Sequence, residues 1–83
     1  MEYKDVEVRA SGRRISPTLS KVTCGNFEIS IDKLGGEAPS PLDLVLASLI
    51  GCLNITATLV ANDMGIEIED ATFEAIGTFN PSV

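Results

Sequence analysis

The chain has 83 residues, of which 45% are hydrophobic, and its 12 acidic and 6 basic side chains give a net charge of −6. A chain of this length is expected to form a single domain. Binding of nucleic acid needs a basic patch, and the largest basic cluster, Arg13–Arg14, is too small to form one, so a nucleic-acid partner is excluded. Histidine is absent and there are two cysteines, which excludes His-dependent catalysis and zinc sites within one chain, so no metal or cofactor is expected.

The N-terminal segment MEYKDVEV carries charges where a signal peptide would need an apolar run. A cytoplasmic location with reduced thiols is therefore expected. Alternation of valines with charged residues predicts a first strand at Tyr3–Ala10. The following Ser11–Arg14 segment is interpreted as a loop.

A β-hairpin is predicted next, with strands at Thr18–Cys24 and Phe27–Lys33 joined by a Gly25-Asn26 turn. A two-residue turn places Cys24 opposite Phe27. One face of the hairpin then carries the apolar side chains of both strands, while Glu28, Ser30 and Asp32 point away from it. This apolar face is the expected partner of a helix.

A long apolar helix follows the Gly-rich segment 34–38. Ser40 is a favourable N-cap, Pro41 suits the first helical position, and Asp43 completes a start that resembles a capping box. The helix is predicted to run to Met64, with Gly65 as its C′ residue. Its apolar part is close to the length of a membrane span. However, it contains polar residues and lacks basic flanks, so a buried helix at a protein interface is preferred over a membrane partner.

Alternation at Glu69–Phe79 predicts a last strand. The predicted order is β-β-β-α-β, an α+β domain with an antiparallel sheet packed on one long helix. One small sheet covers only one side of such a helix. Self-association, most simply as a homodimer, is expected to cover the other side.

The chemistry of this helix centres on Cys52, which is either a small core residue or a sheltered nucleophile. It lies about 17 Å from the N-terminus of the helix, beyond the reach of the helix dipole. A reactive thiolate would therefore need help from elsewhere, and Arg13 and Arg14 are the basic pair available. Ser48, one turn away, could lend a hydroxyl, and Gly51 indicates close approach of a second helix or a substrate.

The motif that runs through Gly35-Gly36, Pro39-Ser40-Pro41, Asp43 and Cys52, followed by the segment VANDMGI, resembles the OsmC/Ohr family of thiol-dependent, peroxide-reducing proteins. The resemblance covers nearly all of this chain but only the N-terminal part of a family member. It implies an intertwined α/β homodimer whose paired central helices enclose the active cysteines.

The resemblance further implies that Cys52 is the peroxidatic cysteine, that Asp43, Arg13 and Arg14 are activating groups, and that the substrate is an organic hydroperoxide or hydrogen peroxide. A resolving cysteine is expected in a C-terminal part that this chain lacks, and a dithiol or thiol protein is expected as reductant. Cys24 is not at the resolving position and is interpreted as packing. Leu42 stands where the best-characterised peroxidase branch has glutamate, which points to the broader OsmC-like branch.

Two other functions remain open at the level of sequence. One is a non-catalytic OsmC-like module that binds a small apolar ligand or a partner protein beside its helix. The other is an inactive fragment. Both leave Cys52 as an ordinary thiol.

Overall fold

The computed structural model describes residues 5–80. These residues form two compact units, which meet in the chain between residues 41 and 42. The first unit is a three-stranded antiparallel sheet of β1 (Ala10–Arg14), β2 (Ser20–Cys24) and β3 (Phe27–Ile31) in the order β1-β2-β3. The second is built on the helix α1 (Pro41–Asp63). The predicted α+β class is confirmed. The packing of the sheet on the helix stays a prediction.

The β2–β3 hairpin has the predicted turn and register. Gly25 adopts a φ of 59°, which a glycine at the first position of a two-residue turn supplies without strain. Cys24 pairs with Phe27 and Val22 with Ile29, so the apolar face forms as expected. β2 begins at Ser20 rather than at the predicted Thr18, and β3 ends at Ile31 rather than at the predicted Lys33.

The first strand lies later in the chain than its pattern suggested. β1 is Ala10–Arg14, so the predicted strand at Tyr3–Ala10 is wrong for residues 5–9. The interpretation of Ser11–Arg14 as a loop is wrong as well. Residues 3 and 4 lie outside the described residues. The short connection 15–19 forces β1 to pair immediately before it, with Arg14 opposite Ser20. A Cβ on Gly12 would lie 3.2 Å from Val22 Cγ2, so glycine suits this position of the ladder.

Asp32 organises the connection between β3 and α1. Its carboxylate accepts hydrogen bonds from the backbone N–H groups of Lys33 at 2.7 Å and Glu37 at 2.9 Å, and its own N–H donates to the carbonyl of Pro39 at 3.0 Å. Asp32 is buried, whereas its position in the strand pattern predicted that it would face away. A Cβ on Gly36 would come within 2.5 Å of Asp32 Oδ2, so Gly36 lets the loop fold tightly over the carboxylate.

These hydrogen bonds predict a dependence of stability on pH. The backbone N–H of Glu37, the Thr18 side chain and the backbone N–H of Lys33 lower the pKa of Asp32 below its usual 3.8. The stabilisation is therefore complete above the unfolded-state pKa and is lost as pH falls through the lower folded-state pKa. Asp32→Asn is expected to reduce the urea midpoint at pH 7, and this deficit is expected to shrink towards about pH 3.

Glu37→Gln is the matched control, because it changes an exposed carboxylate in the same loop and leaves the Glu37 backbone donor in place. We expect its urea midpoint to follow that of the unmodified chain across the pH range. An Asp32→Asn deficit that is the same at pH 7 and at about pH 3 would contradict the role assigned to the carboxylate.

The C-terminus of α1 ends in a Schellman motif. Gly65, at a φ of 69°, donates its N–H to the carbonyl of Asn62 at 3.1 Å, and Ile66 donates to the carbonyl of Ala61 at 2.8 Å. Ala61 is the buried apolar residue of the helix. The predicted role of Gly65 as the C′ residue is confirmed.

The strand predicted at Glu69–Phe79 is absent from the described part of the chain, where residues 66–80 have no regular secondary structure. A strand needs a neighbouring strand, and among the described residues the second unit contains no other one. The end of this segment instead lies against α1. A Cβ on Gly77 would lie 3.6 Å from the Leu46 side chain.

Most large apolar side chains of α1 are exposed in this single chain. By length and composition alone the helix could cross a membrane, and its most apolar stretch has no buried residue. The core helix of a soluble protein passes the same test of length and composition. One chain is too small to enclose the helix, and its burial at an interface with a second copy stays a prediction.

Candidate functional site

The candidate site is the exposed thiol of Cys52 on α1. Both cysteines are free, Cys24 half-buried on the sheet and Cys52 exposed on the helix. A single chain therefore presents Cys52 to solvent, and its shelter at an interface with a second copy stays a prediction.

Cys52 lies beside a continuous apolar stripe along α1. The stripe consists of Leu42, Leu49, Leu53 and Val60, which are 42%, 51%, 51% and 51% exposed. Their spacings of seven, four and seven residues place them on one face of a helix with 3.6 residues per turn. Cys52 follows Leu49 by three residues and Val45 by seven, so its thiol borders this stripe.

The other sequence-predicted groups on α1 are not assembled around the thiol. Asp43 precedes Cys52 by nine residues, about 13.5 Å along the helix axis, so its carboxylate cannot contact the thiol of its own chain. Ser48 donates its hydroxyl to the carbonyl of Val45 at 2.7 Å. Its hydrogen therefore bonds to the helix backbone, which is the commoner use of a serine inside a helix.

Arg13 and Arg14 lie on opposite faces of the sheet, because successive residues of a strand alternate. Arg13 lines a polar surface together with Lys21 and Glu28, which form an ion pair with an Nζ–Oε1 distance of 3.8 Å. Arg14 shares its face with Gly12, and Gly12 packs against Val22. The two guanidinium groups therefore cannot act as one unit, and Arg14 is the one on the apolar face.

An apolar cleft of about 100 Å³ opens beside the first two turns of α1. Its walls come from the helix and from the segment that returns to it: Leu42, Val45, Leu46, Gly77, Thr78 and Phe79. No charged residue lines it. The sequence pattern did not predict this cleft, because residues 77–79 were assigned to the end of a strand.

The described residues contain no group of three or more His, Cys, Asp or Glu side chains able to hold a metal ion. The polar site that sequence reasoning missed is the loop closed by Asp32. An aspartate just before a Gly-rich turn is a signal for such closure, since its side chain can bond to backbone N–H groups further along.

Comparison with known proteins gives one match. The family model described as OsmC-like protein matches residues 34–83, which is more than half of the chain. The matched region includes Gly35-Gly36, Asp43 and Cys52 and excludes both arginines. No curated protein matches the chain. No solved structure matches it either.

Proposed function

This chain belongs to the OsmC-like protein family, and we propose that it is a thiol-dependent hydroperoxide reductase with Cys52 as the peroxidatic cysteine. The observation that carries the proposal is the position of Cys52, a free and exposed thiol in the middle of the matched helix. The working form is a cytoplasmic homodimer in which a second copy covers the helix, and oxidative-stress defence is its role.

In the proposed reaction the Cys52 thiolate attacks the terminal oxygen of a hydroperoxide. The S–O bond forms as the O–O bond breaks, and the leaving alkoxide takes a proton and departs as an alcohol, or as water when the substrate is hydrogen peroxide. The sulfur is oxidised by two electrons to a sulfenic acid. An external dithiol then forms a mixed disulfide with release of water, and its second thiol displaces Cys52 in the reduced state.

The thiolate needs a cation from outside the second unit. Lys and Arg are absent from residues 34–83, so a guanidinium that residues 1–83 supply to Cys52 comes from the segment before residue 34, in the same chain or in a second copy. Arg14 is the better candidate of the predicted pair because it shares the apolar face of the sheet. Arg13 already lies beside Lys21 and Glu28 on the polar face.

Single substitutions test this choice. Arg14→Ala is expected to lower the thiolate fraction of Cys52 and to slow its alkylation by iodoacetamide at pH 7 by about tenfold for each 1.4 kcal/mol of stabilisation that is lost. Arg13→Ala is the matched control, one residue away, and should leave the rate unchanged. If both variants are alkylated at the rate of the unmodified chain, neither arginine activates Cys52, and both have a structural role.

The proposed function is tested by thiol counting after addition of an alkyl hydroperoxide. Rapid loss of one thiol per chain is expected, and dimedone should label Cys52 as the sulfenic acid. Slow loss at a free-thiol rate, or labelling shared equally with Cys24, would contradict the proposal.

A second candidate function is supported by the apolar cleft of about 100 Å³ beside Leu42 and Leu46. In that case the chain is a non-catalytic module that binds a small apolar ligand. Ligand binding without accelerated oxidation of Cys52 would favour this alternative.

A further inference from the structure

The connection between β1 and β2 carries a serine directly behind two arginines. Ser16 follows Arg13 by three residues and Arg14 by two, in the sequence Arg-Arg-Ile-Ser-Pro. No other serine or threonine of the 83 residues has basic side chains at both of these positions. Two guanidinium groups at fixed distances before a hydroxyl form a charge pattern that an enzyme with matching carboxylates can recognise. The motif therefore points to Ser16 as a phosphate acceptor.

The structure presents this motif in an accessible and extended form. Arg13 and Arg14 are exposed at the end of β1, and Ser16 is half-buried in a connection without regular secondary structure. Among the described residues β1 has a neighbouring strand on one side only, so the backbone along its other edge can be approached. A kinase that binds its substrate as an extended segment can therefore contact both guanidinium groups and reach the hydroxyl.

The geometry around Ser16 also suits the phosphorylated product. Its Oγ accepts hydrogen bonds from the backbone N–H groups of Thr18 at 3.3 Å and Leu19 at 3.0 Å. Two backbone donors thus point at the atom that would carry the phosphate. A phosphate adds about 1.5 to 2 negative charges and three acceptor oxygens. These donors, together with the guanidinium of Arg14 two residues earlier, can then form charge-assisted hydrogen bonds to the phosphate oxygens.

We propose that Ser16 is phosphorylated by an arginine-directed serine kinase and that the phosphate then pairs with Arg14. The Ser16 oxygen attacks the γ-phosphorus of ATP, and the new O–P bond forms as the bond to the β,γ-bridging oxygen breaks. The hydroxyl proton passes to a carboxylate of the kinase, and ADP leaves. Because Arg14 is also assigned to the Cys52 thiolate, phosphorylation withdraws that cation and lowers the reactivity of the thiol; this consequence rests on the proposed function.

Phosphate incorporation tests the assignment of Ser16. The chain is incubated with Mg²⁺, ATP and the catalytic subunit of cyclic-AMP-dependent protein kinase, an arginine-directed serine kinase, and the modified residue is located by mass spectrometry. We expect phosphate on Ser16. Arg14→Ala should lower the kcat/KM of phosphorylation about tenfold, which corresponds to about 1.4 kcal/mol. Lys21→Ala is the matched control, because it removes the cation that pairs with Arg13 across the sheet and lies outside the motif.

The acceptor itself is tested by two replacements of Ser16. Ser16→Ala should take up no phosphate, whereas Ser16→Thr keeps a hydroxyl and should still be modified, which separates loss of the acceptor from loss of the fold. Absence of phosphate from the unmodified chain, phosphate on Thr18 instead, or a rate that is the same in Arg14→Ala and Lys21→Ala would overturn the assignment.

Alkylation of Cys52 tests the consequence for the thiol. In the Cys24→Ser chain, phosphorylation of Ser16 should slow alkylation by iodoacetamide to the rate measured for Arg14→Ala. A phosphorylated chain that reacts as fast as the unphosphorylated one, while Arg14→Ala reacts more slowly, would overturn the withdrawal of Arg14 by the phosphate. If Arg14→Ala itself leaves the rate unchanged, the role of Arg14 in the proposed function fails, and phosphate incorporation alone decides the assignment of Ser16.

Discussion

Replacing Cys52 by serine is expected to abolish dithiol-dependent peroxide consumption, with a loss of about 100-fold or more, because the sulfur that accepts the peroxide oxygen is removed. The serine hydroxyl is nearly isosteric and sits on an exposed helix face, so the fold should be unchanged. The measurement is the initial rate of alkyl hydroperoxide loss in the presence of excess dithiothreitol.

Cys24→Ser is the matched control for this prediction. Cys24 pairs with Ala10 and Phe27 within the sheet, where packing accounts for its presence. Its replacement should leave the initial rate nearly intact. Equal losses in the two variants would show that the roles have been assigned wrongly.

The second large effect is expected on self-association, which we propose occurs along the apolar stripe of α1. Leu42, Leu49, Leu53 and Val60 are each at least 42% exposed. Full burial of a leucine or valine side chain contributes about 1.5–3 kcal/mol. Small domains have a total stability of only about 5–15 kcal/mol, so covering this stripe changes the balance between folded and unfolded chains.

Leu49→Glu is expected to convert the proposed dimer into a monomer, because it places a charge at the centre of the stripe, next to Cys52. Ala47→Glu adds the same charge on the other side of the same helix, where the exposed residue is small, and should leave the proposed dimer intact. Sedimentation equilibrium at micromolar concentration distinguishes twice the 8.8 kDa chain mass from a single chain. A well-folded monomer of the unmodified chain would contradict the interface.

Gly51 refines this picture. In the single chain a Cβ on Gly51 would meet nothing within 4 Å, so the close approach of a second helix or a substrate at this glycine stays a prediction. Gly51 also lies on the opposite side of α1 from the Leu42–Val60 stripe. Gly51 therefore does not belong to the stripe that we propose binds the second copy.

The parts of the fold that could be predicted from sequence are those encoded locally. The Gly25-Asn26 turn lies between two alternating runs, and the pairing of Cys24 with Phe27 follows from its length. The helix boundaries follow from the Pro41 start and the Gly65 end, which need only neighbouring residues. The helix that carries Cys52 was predictable for the same reason.

The parts that could not be predicted depend on partners distant in the chain. Alternation at residues 6–8 and 69–79 identifies a segment able to form a strand, but it does not say whether another strand pairs with it. Val6 and Val8 are accordingly more than 80% exposed. Asp32 was assigned outward by the same alternation, although closure of the loop by Glu37 and Pro39 buries it.

The second-order rate constant for oxidation of Cys52 by an alkyl hydroperoxide, measured in the Cys24→Ser chain, decides whether Cys52 is a peroxidatic cysteine. A free cysteine is about 3% thiolate at pH 7, so complete ionisation alone would accelerate the reaction about 30-fold. A peroxidatic site should exceed that factor, because it also orients the peroxide and protonates the leaving oxygen. We expect a rate constant well above 30 times that of free cysteine, and a value close to that of free cysteine would contradict the account.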